Sequence, residues 1–283
     1  KPEVKLNYKF NDSQYILDEL VIKDKYDSID FSRRMRAIEG LMITQGKKNE
    51  VIVMEGVNAN KATNSGRQIY SKVPGLNIWE SDGAGIQLGI GGRGLNPSRT
   101  SNFNTRQNGY DISADALGYP ESYYTPPTEA IKEIQLIRGA ASLQFGTQFG
   151  GLLNFVLNTG PKYKKLELTA RQSIGSFNLK NTFVSLGGDN KRLNYYAYYQ
   201  NKSGDDWRPN SGFNVQTAGI NVRRHLNEAN SIRLELTKMS YTAQQPGGLT
   251  DLQFEQEPTV SIRDRNWFQV DWNLAAFHFD HEF

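Results

Sequence analysis

The sequence predicts a small α/β domain followed by antiparallel strands of a transmembrane β-barrel, an all-β part that stays incomplete within this chain. Three observations carry this. Residues 51–160 mix short apolar runs with glycine-rich turns. After Pro161 the texture changes to period-2 alternation of apolar and polar residues. Aromatic residues, 11% of the chain, crowd that alternating half.

Composition narrows the class further. Charged residues make up 22% and hydrophobic ones 37%, and the mean hydropathy is −0.61, too polar for a helical membrane protein. No apolar run reaches the ~18 residues of a spanning helix. A barrel escapes that test, because its lipid-facing and lumen-facing residues alternate and average out. Lys and Arg number 33 against 30 Asp and Glu, so no general pull on nucleic acid is expected. The absence of cysteine removes disulfides, thiolate metal sites and thiol nucleophiles together. The opening "KPEVKLNYKF" lacks a basic stretch followed by an apolar one, so a signal peptide is either absent or already removed.

In chain order, residues 1–50 read as an N-terminal extension, either mobile or packed on the next domain, with a short hydrophobic-acidic run "ILDELVI" at 16–22. The α/β domain covers 51–161. "VIVM" at 51–54 reads as a strand, and 63–75 as a short helix stopped by Pro74-Gly75. Strand pieces follow at 76–79 and 86–90. Then come a polar loop over 96–108 and a tyrosine-rich loop over 119–124. Pro127 starts a helical turn before a strand over 133–138. "GGLLNFVLNTGP" closes the domain. Barrel strands then occupy 162–283. Leu166, Leu168 and Ala170 alternate with Glu167, Thr169 and Arg171, and Ile232, Leu234 and Leu236 with Arg233, Glu235 and Thr237. Phe268, Val270, Trp272 and Leu274 do the same against Gln269, Asp271 and Asn273. Short turns separate the runs, and residues 244–266 form one longer loop.

Several tempting motifs fail on their mechanics. "LGIGGRGLNP" holds Gly89, Gly91 and Gly94 in the spacing of a dinucleotide site. Pro97 and a polar run follow, however, where a helix N-terminus would have to point at the phosphates. The glycines are therefore expected to serve tight backbone packing beside a turn. His278 and His281 lie an odd number of residues apart and face opposite sides of a strand, so no metal site is expected. Asp205-Asp206 beside Gly204 reads as a solvated turn. No G-x-S-x-G elbow occurs, and the α/β domain has neither His nor Cys for nucleophile or proton shuttle. No enzyme, catalytic residue or cofactor is expected.

The segments "RQIYSKVPGLNI", "GGRGLNP" and "AIKEIQLIRGAASLQFGTQFGGLLNFVLNTGP" stand in an order and spacing that resembles the plug domain of TonB-dependent outer-membrane receptors. The resemblance covers residues 51–161 closely and the strands behind them more loosely. The stretch between "GRGLNP" and "NGYD" is most similar to receptors of the ferric citrate type. Asn108-Gly109 stands where the family commonly has Asp-Gly, and that turn tolerates Asn. The resemblance implies a Gram-negative outer-membrane receptor for active uptake of an iron chelate, ferric citrate-like or another siderophore. Alternatives are another scarce nutrient (cobalamin, haem, oligosaccharide) or a non-transporting adhesion or assembly protein. Its implied partners are a TonB-type periplasmic energy-coupling protein, the ferric chelate and outer-membrane lipid.

The resemblance also assigns residues. Leu17, Asp18, Glu19, Leu20, Val21 and Ile22 are similar to a TonB box, suited to strand addition at a sheet edge. Arg93 and Arg138 correspond to the two "RG" arginines expected to meet barrel-wall carboxylates. Arg99, Thr100, Ser101, Asn102 and Asn104 are expected to bind an anionic chelate at the outer face, with Tyr119, Tyr123 and Tyr124 lining the vestibule. Family barrels close with about 22 strands, whereas residues 166–283 have room for about six. The chain is thus expected to be the first part of a longer protein.

Overall fold

The structure is a computed structural model, and it describes residues 32–39, 42–71, 73–114, 121–139, 144–145, 148–190 and 192–282. Among these residues two six-stranded sheets and two small hairpins form. The first sheet belongs to the plug. It joins β1 (Ser32–Arg33), β4 (Asn49–Val53), β9 (Ile131–Arg138), β10 (Gly151–Leu157), β7 (Phe103–Gln107) and β8 (Tyr110–Asp111), in that order. Only β10 and β7 pair parallel among them. The hairpins are β2 (Ile38–Glu39) with β3 (Met42–Ile43), and β5 (Leu76–Glu80) with β6 (Leu88–Gly92). A single helical turn, α1 (Gly66–Ile69), precedes Pro74 as the sequence indicates. Ile52, Ile134, Leu136, Leu153 and Phe155 are buried in the core of this domain.

One expectation is corrected here. Residues 103–107 do not belong to a polar loop; they form β7, whose side chains are mostly buried. Its polar residues are satisfied locally: Asn104 donates to Asp111 at 2.9 Å and accepts from Arg106 at 2.7 Å, and Gln107 donates to the Tyr110 hydroxyl at 2.5 Å. Hydrogen bonding thus replaces the apolar periodicity that would have announced a strand. The glycine motif behaves as expected. Gly89 and Gly91 lie in β6, and a side chain at Gly91 would press into the carbonyl oxygen of Leu95.

The second sheet is an antiparallel meander of β11 (Glu167–Ile174), β12 (Lys180–Asp189), β13 (Leu193–Gly204), β14 (Phe213–His225), β15 (Asn230–Gln244) and β16 (Trp267–His281). Its register aligns Leu168, Leu186, Ala197, Ile220, Leu236 and Ala275 in one cross-strand row on the face away from the plug. Leu168 is 66% exposed and Ile220 50%, so this row is an apolar band with no protein cover in the chain. The next row toward the long-loop end passes from Ala170, Val184 and Tyr199 to Lys238 and Asn273, which marks where the band stops. On β16 above that limit the polarity inverts: Phe268, Val270 and Trp272 face the plug while Gln269, Asp271 and Asn273 face outward.

A short turn at 226–229 lies at one end of this wall, and longer connections at 205–212 and 245–266 cover the other. The 245–266 connection carries α2 (Asp251–Gln256), started by a capping box between Thr250 and Gln253. Two side chains of the neighbouring connection hold it through its backbone. Arg208 donates to the carbonyls of Gly247 at 3.0 Å and Val260 at 2.5 Å, and Asn210 donates to that of Arg263 at 2.6 Å.

Candidate functional site

The plug lies on the inner face of the wall, and the contact between them combines apolar side chains such as Phe183, Phe213, Val215 and Met239 with a set of polar bonds. One inward cross-strand row, Asn181, Lys202, Val215 and Tyr241, meets the plug at three points. Asn181 donates to Glu129 at 2.9 Å, Lys202 donates to the carbonyl of Ala84, and the Tyr241 hydroxyl donates to Asp82 at 3.0 Å. Asp82 organises the plug loop it belongs to, accepting from the backbone N–H of Ile86 at 3.1 Å and of Gln87 at 2.8 Å. Gln200 adds a bond to Glu129 at 3.3 Å. Burial pushes the Glu129 carboxyl above its ordinary value, opposed by a backbone hydrogen bond and the charge of Lys202.

Toward the short-turn end the same face continues. Gln107 donates to Thr237 at 3.2 Å, and Asn108 donates to Glu235 at 2.7 Å. Glu235, 2% exposed as a side chain, also has Arg233 at 3.2 Å and His278 at 3.7 Å. Side-chain atoms of Asn181, Tyr198, Gln200, Thr217 and Asn221 on this face are buried without a hydrogen-bond partner among the described residues. Of this seam the sequence reading named Asn108 as a turn residue, Arg233, Glu235 and Thr237 as strand residues and His278 as a rejected metal ligand, none of them as a contact between plug and wall. Strand parity was the available signal: in "NYYAYYQNKSG", Lys202 falls on the same face as Tyr196, Tyr198 and Gln200.

At the long-loop end the structure brings Arg99 and Tyr123 together and adds Glu121, which the sequence reading did not name, and Phe268, which it read only as a strand residue. The Arg99 guanidinium donates to Glu121 at 2.9 Å and to the Tyr123 hydroxyl at 3.0 Å, and Tyr123 also donates to Glu121. Tyr123 stacks on Phe268 of the wall with ring centroids 5.4 Å apart, and the guanidinium lies 5.4 Å from the Tyr123 ring centre and 5.9 Å from that of Phe268. Burial opposes the charge on Glu121, but hydrogen bonds from Tyr123 and Arg99 hold its carboxyl below the ordinary value. The bond to Glu121 holds the Arg99 guanidinium above its own.

The other expected ligand residues are placed differently. Thr100 is buried, donating to the carbonyl of Leu88 at 2.6 Å and accepting from Ile90 at 3.2 Å. Asn104 is buried in the network of β7. Tyr124 is fully buried, its hydroxyl donating to Gln107 at 2.9 Å. Asn102 donates to the carbonyl of Asn96 at 3.0 Å, and Ser101 is partly exposed beside Arg99. Tyr119 and the run Leu17, Asp18, Glu19, Leu20, Val21 and Ile22 lie outside the described residues.

The two "RG" arginines are near neighbours within the plug. Arg138 donates to Glu50 at 2.7 Å and to the carbonyl of Pro74 at 2.6 Å, so its carboxylate partner here comes from β4 and not from the wall. The Arg93 guanidinium lies against Gly139, where an added side chain would come within 2.9 Å of it.

Residues 44–152 match the family model described as the TonB-dependent Receptor Plug Domain. The fold is similar to the unliganded ferric citrate transporter FecA, with a TM-score of 0.71 at 23% identity, covering 83% of this chain and 37% of that one. It is also similar to the siderophore receptor PirA from Acinetobacter baumannii, with a TM-score of 0.60 at 15% identity, covering 85% and 38%. A third similar structure is the ferric-catecholate import receptor Fiu from E. coli K12, with a TM-score of 0.61 at 15% identity, covering 83% and 36%. The chain thus spans little more than a third of the length of these structures. Residues 44–152 thus match a TonB-dependent receptor plug domain, and the six antiparallel strands of the wall follow it in the chain.

Proposed function

We propose that the whole protein takes up an anionic iron chelate, ferric citrate or a related siderophore, across the outer membrane, driven by a TonB-type periplasmic partner. The observation that carries this reading is a plug seated by polar contacts on the inner face of a wall whose outer face bears an apolar band. Such a plug blocks passive flow, and its polar attachments to the wall can be exchanged for bonds to water. The likeness to the ferric citrate transporter FecA favours a carboxylate-rich chelate.

The outer binding surface is assigned to Arg99, Ser101, Asn102 and Tyr123, with the buried Thr100, Asn104 and Tyr124 behind them; Tyr119 stays a candidate outside the described residues. Arg99 is already bonded to Glu121, so a chelate recognised here competes with an internal carboxylate for the same guanidinium. Energy coupling is assigned to residues 17–22, added as a strand to the partner's sheet. The test uses the full receptor in cells supplied with radiolabelled ferric citrate. Arg99→Ala is expected to weaken surface binding by about tenfold, the effect of losing one charge-assisted bond. Leu20→Pro is expected to leave binding intact and abolish uptake, because proline removes a backbone donor and disfavours the paired conformation. Unchanged binding for Arg99→Ala removes that residue from the site, and unchanged uptake for Leu20→Pro removes residues 17–22 from coupling.

A further inference from the structure

The seam contains a fully buried ammonium that neither ligand binding nor partner capture uses. Lys202 is 0% exposed, and it sits in the middle of a wall row whose next member, Val215, fills the same face with an apolar side chain. Burying a cation there costs more than burying a second valine, so the residue must be understood through what it meets. It meets the plug. Its ammonium donates to the carbonyl of Ala84, and two plug carboxylates, Asp82 and Glu129, act on it through space. Both acids are themselves fastened to the same wall row, Asp82 through Tyr241 and Glu129 through Asn181. Between them, Gly83 packs so closely that a side chain there would come within 2.9 Å of Asp206 and Phe213. Plug loop 81–87 thus rests on β13, β15 and the connection between β13 and β14, with one wall cation facing two plug anions.

We propose that Lys202 is the counter-charge that seats the plug: it balances Asp82 and Glu129 and keeps the pore of the full receptor shut at rest. The inference rests on the receptor reading above, but it concerns closure and requires neither a chelate nor a partner. Lys202 acts as a positioning residue, through the loop it holds. With the ammonium removed, the seam loses the buried cation shared by the two acids, Glu129 keeps only Arg171 and Lys61 among the described residues, and the favoured response is entry of water and loosening of the loop.

The experiment measures leak through the full receptor, as ion conductance in planar bilayers and as sensitivity of cells to a glycopeptide antibiotic too large for the intact outer membrane. Lys202→Met, which keeps the length of the stem and removes the charge, is expected to raise both severalfold. Glu129→Gln combined with Lys202→Met restores charge balance and is expected to bring the leak back toward the parent level, which loss of packing alone would not do. A Lys202→Met receptor as tight as the parent, or a double variant as leaky as the single one, overturns the proposal. Should Lys202→Met fail to assemble, the heat-modifiable assembled fraction decides: recovery in the double variant supports the charge role, and no recovery overturns it. A receptor that closes in this way but takes up no ferric citrate would refute the uptake reading and leave this one standing.

Discussion

The plug's own sheet and the seam that joins it to the wall are both buried and share one apolar cluster, yet the seam adds to it a dense set of polar bonds. Inside the plug, Ile52, Ile134, Leu136, Leu153 and Phe155 pack side chain against side chain. Across the seam, beside apolar contacts such as those of Phe213 and Met239, run the polar bonds Asn181 to Glu129, Lys202 to Ala84, Gln107 to Thr237 and Asn108 to Glu235. An apolar core loses its stabilisation when water enters, whereas polar partners exchange one set of hydrogen bonds for another at small net cost. The difference teaches that the plug is organised to stay folded as a unit while its attachment is exchangeable.

Three variants break or sharpen that contrast. Phe155→Ala removes a buried ring from the plug core and is expected to cost about 3–5 kcal/mol. The plug then becomes protease-sensitive in the full receptor while the wall keeps its heat-modifiable fold. Equal damage to both parts would mean that the two do not fold as separable units. Tyr241→Phe removes one hydroxyl that donates to Asp82 and accepts from Gln87 at 2.9 Å. A loss of about 1–3 kcal/mol is expected for the uncompensated carboxylate. It should appear as easier release of the plug in denaturant with the plug interior still protected from hydrogen exchange; exposure of the interior would contradict the contrast.

The smallest effect concerns Arg99 and Glu121, whose side chains are 42% and 26% exposed. Such a pair is worth about 0.2–1 kcal/mol. Because the Glu121 carboxyl lies below its ordinary value in the folded protein, its contribution is fully present above the unfolded value of about 4.3 and is lost as pH falls through the folded one. Glu121→Gln should therefore lower stability near neutrality by about 0.2–1 kcal/mol, leave it unchanged at pH below the folded value, and so flatten the acid limb. An acid limb identical to the parent's would show that the pair contributes nothing.

The alternation of the wall was legible because lipid and plug impose period 2 on every strand; Leu234 and Leu236 against Arg233 and Glu235 show it directly. The turn after Gly91 was legible because the residues around Pro97 exclude a helix. Strand β7 was hidden, since "FNTRQ" is satisfied by Asp111, Tyr110 and Thr237 and not by apolar neighbours. The seam was hidden for a different reason. Lys202 and Ala84 are separated by 118 positions, and Tyr241 and Asp82 by 159, so each half looks like an ordinary surface residue until the topology joins them. Glu121 and Phe268 were missed likewise: one carboxylate between tyrosines and one aromatic at a strand end acquire meaning only when Arg99 lies over both rings.

The long connection over 245–266 has a consequence for how the surface of the molecule can change over generations. Arg208 and Asn210 grip it through main-chain carbonyls, which every residue type offers. Its path is therefore largely indifferent to the side chains it displays, apart from the Thr250 and Gln253 cap. Leu252 and Phe254, exposed at 63% and 54%, can be exchanged without moving the arch that presents them. A surface built this way can change the outward side chains of α2 while Arg208 and Asn210 hold its path.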